Sequence, residues 1–209
     1  MPWRFLSAFL FLTVACAAPR TVSRAGMEES RAVQEQLNQE YLDPATSILS
    51  DADRLALADR GGLSFFPLSE NYIVDARLER YPDPETVEIP TSGPQPARFY
   101  VYGRLLFELQ GRPDTLDVFL TTNRYLPEEY RNLLFVPFRD ETSGKDTYGG
   151  GRYLDVPLPE TDRVTLDFNR AYHPYCAYTD GYACPVPPAQ NYLEQRVEAG
   201  VRNTAIPSG

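Results

Sequence analysis

Apolar positions recur along this chain at different spacings, and each spacing predicts a different element. Across residues 27–41, Val33, Leu37 and Tyr41 repeat every four residues, the stripe of an amphipathic helix that Pro44 ends. Ser50-Asp51-Ala52-Asp53 is a capping-box pattern opening a second short helix with Leu55 and Leu57, and Gly61-Gly62 stops it. From Leu63 onward the period changes to two. Residues 63–68 read as a short apolar strand. In residues 72–81, Tyr72, Val74, Ala76 and Leu78 alternate with polar or exposed partners, and residues 86–89 are expected to pair back across Pro82-Asp83-Pro84. Residues 98–109 form a long strand that meets residues 116–122 across a loop of turn formers, Gln110 to Asp114. Residues 133–138 read as a buried strand, and residues 153–156 and 164–168 as a further pair. Leu193, Val197 and Val201 return to a spacing of four, which predicts a C-terminal helix opened by Pro187-Pro188. Strands this close, without helices between them, predict a mainly β domain. Its form is an antiparallel sandwich or barrel, with N-terminal helices and one short C-terminal helix.

A fourth pattern precedes these. Residues 5–14 are a nearly unbroken apolar run after a short basic start, and small Ala15 follows. That is the form of an export signal. It is too short for a membrane-spanning helix, which needs about 20 apolar residues. The order Leu12-Thr13-Val14-Ala15-Cys16 resembles the bacterial lipobox, in which the cysteine is acylated and becomes the new N-terminus; Thr13 departs from the usual aliphatic residue there. The alternative is ordinary cleavage after Ala15 or Ala18, giving a soluble secreted protein. The expected organisation is a signal peptide over 1–15, lipidated Cys16 with a tether over 16–26, and one mostly β domain over 27–209. The expected location is the bacterial cell envelope, on a membrane and possibly facing the periplasm.

Composition changes the picture in three places. The chain carries a net charge of −9, which argues against nucleic acid and against a purely electrostatic hold on anionic lipid. Nineteen prolines and fourteen tyrosines favour extended segments and turns over a helical bundle. Of the three cysteines, Cys176 and Cys184 remain once Cys16 is set aside. They flank the turn dipeptide Asp180-Gly181, so a disulfide is expected, stabilising by roughly 2–3 kcal/mol. The competing readings are two free thiols, or a metal site with His173 as third ligand.

Residues 138–191 hold the candidate chemistry. Phe138-Arg139-Asp140-Glu141-Thr142 is followed by Thr147-Tyr148-Gly149-Gly150-Gly151-Arg152-Tyr153-Leu154, by Leu166-Asp167-Phe168-Asn169-Arg170-Ala171-Tyr172 and by Cys184-Pro185-Val186-Pro187-Pro188. This order, with Gly62-Leu63-Ser64-Phe65-Phe66-Pro67 upstream and Asn191 and Ala199-Gly200 downstream, resembles the bacterial family Domain of Unknown Function 1684. The likeness covers about residues 31–201. It implies a shared fold and brings no assigned activity or catalytic residues. It also implies asparagine where this chain has His173, so His173 is not expected to be an essential catalyst.

Each piece has a functional and a structural reading. Gly149-Gly150-Gly151 is either a turn with positive φ or an anion-binding nest. Arg152 and Arg170 either contact a ligand or pair internally, Arg152 with Asp167 or Asp140. Asp140 and Asp167 suit an acid–base pair only if they meet. Asn169 caps or locks a turn, or joins Asp167 on one strand face. Tyr148, Tyr153, Tyr172, Tyr175, Tyr178 and Tyr182 line a pocket for a sugar, a peptidoglycan fragment or an apolar ligand, or they pack a small β domain. One histidine excludes multi-histidine zinc sites, and no Gly-x-Ser-x-Gly elbow is present. No cofactor or metal is expected. Two functions follow. The first is an envelope lipoprotein binding a glycan, a peptide, another small or polymeric ligand or a protein partner near Arg152, Tyr153, Asp167, Asn169, Arg170 and Tyr172. The alternative is a carboxylate-dependent hydrolase or lyase acting on an envelope polymer through Asp140, Asp167 and Arg152.

Overall fold

The computed structural model describes residues 24–204; the expected export signal, Cys16 and most of the expected tether lie outside the described residues. The first apolar stripe forms helix α1 (Arg24–Leu42), which begins earlier than its pattern predicts. The capping box opens α2 (Asp51–Asp59). Ser50 accepts the Asp53 N–H at 3.1 Å and donates to the Asp53 carboxylate at 2.6 Å, so the helix start is met locally. Leu57 is buried with Tyr41, Leu49 and Leu63 in a small core between the helices and the chain that follows, while Leu55 faces out.

The alternating region forms β1 (Ile73–Arg80), β2 (Thr86–Ile89), β3 (Ala97–Leu109), β4 (Arg112–Thr121), β5 (Leu133–Asp140), β6 (Arg152–Pro157) and β7 (Arg163–Asp167), with a one-turn α3 (Glu128–Arg131) before β5. A two-residue β8 (Tyr192–Leu193) adds in parallel to β5. The strands make one curled half-barrel sheet in the order β6-β5-β4-β3-β1-β7, with β2 also on β3. Mainly antiparallel β is therefore the fold class, and the sheet is a barrel that stays open.

Several pairings differ from those expected. Residues 153–156 and 164–168 do not pair with each other: β6 pairs with β5 and β7 with β1, so they stand at the two ends of the sheet. Strand β2 pairs with β3 rather than back on β1. Strands β1 and β2 lie along β3 one after the other, and Pro82-Asp83-Pro84 bows out between them because proline has no N–H for the ladder. The turn between β3 and β4 shrinks to Gln110-Gly111, with φ of 52° and 80°, and pairing resumes at Leu109 with Arg112. Two left-handed residues in a row match the twist of a hairpin, so Pro113 enters the strand instead of the loop. Residues 63–68 form only an isolated bridge, Phe65 with Val201.

The C-terminal helix is absent from the described residues. After Pro188 the chain makes one 3-10 turn, joins β5 as β8, bends at residues 194–195 and continues without helix to a bridge at Val201. Leu193, Val197 and Val201 are fully buried all the same. A spacing of four satisfies an extended chain as well as a helix, and here the segment plugs the sheet interior beside Leu105, Leu116, Leu134, Val136, Phe138, Leu166 and Phe168. The gap between β6 and β7 is walled by Leu154, Val156, Thr165 and Asp167 and capped by Gly26 and Glu29 from α1.

Candidate functional site

Strand β6 points successive side chains to opposite faces of the sheet. Gly151 leads into it at φ +98°, and a Cβ there would come 2.7 Å from the Phe138 carbonyl, so only glycine fits. The Gly-Gly-Gly run is thus a turn that brings the backbone close to β5. Arg152 then points inward and is wholly buried. It donates to Asp140 at 3.2 Å, to the Val197 carbonyl at 2.8 Å and to the Ala199 carbonyl, and its guanidinium lies 5.1 Å from the centre of the Phe138 ring. Asp140 also accepts from Thr142 Oγ1 at 2.9 Å and from the Val197 N–H at 2.7 Å. Of the two partners considered for Arg152, Asp140 is the one used. Burial disfavours the Arg152 charge and Asp140 opposes that effect. The pair ties the C-terminal plug to β5 and β6.

The second motif is also turned inward. Strand β7 ends at Asp167, so Phe168, Asn169 and Arg170 form a 3-10 turn rather than a continued strand. Asp167 caps that turn, accepting the Asn169 N–H at 3.0 Å and Arg170 Nε at 2.9 Å. Asn169 locks the chain before β1 through the Ser69 N–H and carbonyl, both at 3.0 Å. Helix α1 reads the same motif from outside. Ser30 donates to Asp167 at 2.5 Å, Gln34 to the Asn169 carbonyl at 2.8 Å, and Glu29 pairs with Arg170 at 2.8 Å. Asn38 accepts the Leu63 N–H at 2.8 Å. Ser30, Gln34 and Asn38 are spaced by four and form a polar docking stripe beside the apolar one; their spacing is the signal in the sequence. Asn191 has a comparable role. It takes the Asp117 N–H at 2.9 Å and donates to the carbonyls of Asp117 and Pro137 at 2.8 and 2.7 Å, bridging β4 and β5 where a single residue pair joins them.

These placements decide what the motif residues can do. Arg152 and Asn169 are buried with their partners inside the fold, and Asp140 and Asp167 have both oxygens engaged there. The acid and base named for a hydrolase are therefore occupied structurally. Arg170 stays partly exposed but is shared by Asp167 and Glu29.

The outward face of β6 is different. Tyr153 and Asp155 share it, and a cleft of about 430 Å³ opens over them. Phe99, Phe135, Tyr172, Tyr175 and Tyr182 wall it, with Leu126, Leu133 and Pro185 between. Phe135 stacks on Phe99 with ring centres 5.3 Å apart and meets Tyr153 edge-on at 4.7 Å. Tyr153 donates to the Pro185 carbonyl at 2.5 Å, which fixes the covering segment. That segment is closed by the Cys176–Cys184 disulfide. Tyr172 donates to Asp155 at 2.6 Å. Asp155, which sequence reasoning did not select, is the one charged residue among the described residues lining the cleft. Its alternation with Tyr153 was the available signal. Asp155 is exposed at the edge of the cleft; partial desolvation by its neighbours raises its pKa above the ordinary value, while the Tyr172 bond works the other way.

His173 lies behind this cleft and is buried. Its Nε2 accepts the Tyr148 N–H at 3.1 Å and Nδ1 meets the Tyr178 hydroxyl at 3.2 Å. Burial, with a contribution from the Arg152 charge, lowers its pKa to about 3, so it stays neutral near pH 7. Tyr148 and Tyr178 pack around it rather than lining the cleft.

A family model described as a protein of unknown function (DUF1684) matches residues 59–202. The chain belongs to the DUF1684 family. The DUF1684 match takes in the whole sheet, the Arg152 knot, the Asp167 turn and the cleft, and it starts after α1 rather than near residue 31. A solution NMR structure of an uncharacterized protein from Haloarcula marismortui is similar, with 34% identity, a TM-score of 0.64, and coverage of 84% of this chain and 93% of that one. Comparison with curated proteins returns no match.

Proposed function

We propose that this DUF1684 member is an exported envelope lipoprotein, acylated at Cys16, that binds a ligand in the aromatic cleft over Tyr153, Asp155 and Tyr172. The observation carrying the binding reading is the cleft itself. It has the volume and the mostly apolar, aromatic lining of a small-molecule site, with a few polar groups converging on its floor. The carboxylates of the two motifs are already paired to arginines, as a binding module requires and an acid–base enzyme does not. Export is supported by the apolar run before Cys16 and by the Cys176–Cys184 bond, since disulfides persist in oxidising compartments.

A thermal-shift screen of envelope sugars, peptides and nucleotides tests the binding reading, because a ligand of the native state raises its melting temperature. One class is expected to raise it in the native chain and to lose that effect in Tyr175→Ala with Tyr182→Ala, two exposed wall residues. An equal shift in both proteins counts against the cleft. Palmitate labelling tests the anchor: the native chain takes label and Cys16→Ser does not, whereas equal labelling ends that part.

A further inference from the structure

The geometry points to a small organic cation with an apolar body as the ligand of the cleft, its charge against Asp155 and its body among the aromatic rings. This deepens the cleft-binding reading and rests on it. Three observations support it together.

The first is charge complementarity. Among the described residues, Asp155 is the single charged side chain lining the cleft, and its carboxylate accepts from a neutral hydroxyl, Tyr172 Oη. The buried carboxylates Asp140, Asp167 and Asp117 each have an arginine: Arg152, Arg170 and, at 2.7 Å, Arg104. Asp155 has a tyrosine in that place. An exposed carboxylate at the edge of an apolar cleft, bonded only to a neutral hydroxyl, has acceptor capacity left for an ammonium or guanidinium group.

The second is the register. Phe135 stands directly opposite Asp155 on the neighbouring strand, and Tyr153 is two residues away on the same face. A group seated on the carboxylate thus has aromatic rings beside it. Aromatic faces carry negative potential and attract cations, most strongly where water is excluded. The same surroundings repel a free anion.

The third is the shape of the walls. Tyr175 and Tyr182 meet edge-on with centres 5.0 Å apart at the open side, and Tyr175 donates outward to Glu40 at 3.1 Å. The cleft volume, about 430 Å³, leaves room for an apolar body beyond the charged group.

Isothermal titration of the purified full-length chain tests this with benzyltrimethylammonium, benzyl alcohol and benzenesulfonate. The cation is expected to bind about tenfold more tightly than the alcohol, and the sulfonate more weakly than either. Asp155→Asn should cut the affinity for the cation about tenfold and leave that for benzyl alcohol unchanged, while Tyr172→Phe, which keeps the charge, retains the preference. If Asp155→Asn fails to fold, the cation-to-alcohol ratio on the native chain decides alone. Equal binding of cation and alcohol overturns the cation inference and leaves the cleft-binding reading standing. Binding of none of the three removes the inference, and the separate ligand screen then judges the cleft. A cation preference that survives Asp155→Asn places the charge recognition elsewhere and overturns the assignment.

Discussion

Arg152 and Asp155 stand on one strand and face opposite ways, and the two environments are opposites too. Arg152 enters the sheet interior, where a carboxylate, two backbone carbonyls and a ring face receive it. Asp155 enters the cleft, where a single neutral hydroxyl meets it. A buried charge with its counter-charge and hydrogen bonds is architecture. An exposed carboxylate beside aromatic rings, with no ion pair among the described residues, is the position on which the proposed ligand charge rests. Motif density therefore marks the first environment, and the second is found only from geometry.

The contrast can be broken from its interior side first. Asp140→Ala leaves the Arg152 charge buried without its partner and should cost about 3–5 kcal/mol in urea denaturation. Adding Arg152→Met to that variant should recover much of the loss, which a double-mutant cycle reads directly. Next in size is Asp167→Ala, which removes the acceptor of Ser30, Asn169 and Arg170. It should cost about 2–3 kcal/mol and speed amide exchange in α1 more than in β5 and β6.

Acid sharpens the comparison through His173. The imidazole has a pKa of about 3 in the fold against 6.5 unfolded. As the pH falls below 6.5 the unfolded chain takes up a proton that the folded chain refuses, so the stability present above that value is lost progressively toward pH 3. At pH 5 the loss is about 2 kcal/mol, and His173→Asn should flatten that part of the profile. The smallest effect belongs to the cleft. Asp155→Asn should change stability by no more than about 0.5 kcal/mol, in the stabilising direction if any, because its charge is desolvated without an ion-pair partner. A large loss of stability there would make Asp155 architectural as well.

Elements whose period is unambiguous were legible in the chain: α1, α2 with its Ser50 cap, and the long hairpin of β3 and β4. Local pattern does not encode partner choice. Strands β6 and β7 are close in sequence but end up at opposite ends of the sheet, because each finds a longer-range partner in β5 or β1. Leu193, Val197 and Val201 misled because a spacing of four fits both a helix and an extended chain. The site was half legible. Tyr153 and Tyr172, named for their aromatic content, line the candidate cleft, and the disulfide was legible through a turn between cysteines. Arg152, Asp167 and Asn169 stood out for the same chemistry that lets them hold the interior together. Asp155 was hidden because one aspartate in a strand has no pattern of its own.

The pleat of β6 also says where this chain tolerates a change of length. One residue inserted between Gly151 and Arg152 would exchange the two faces, sending arginine into the cleft and tyrosine into the core. The bow at Pro82-Asp83-Pro84 lies outside the ladder and is exposed, so extra residues there leave the β1 and β2 registers intact. In this chain an insertion is therefore expected to be tolerated at that bow and to disrupt the sheet in the glycine turn before β6.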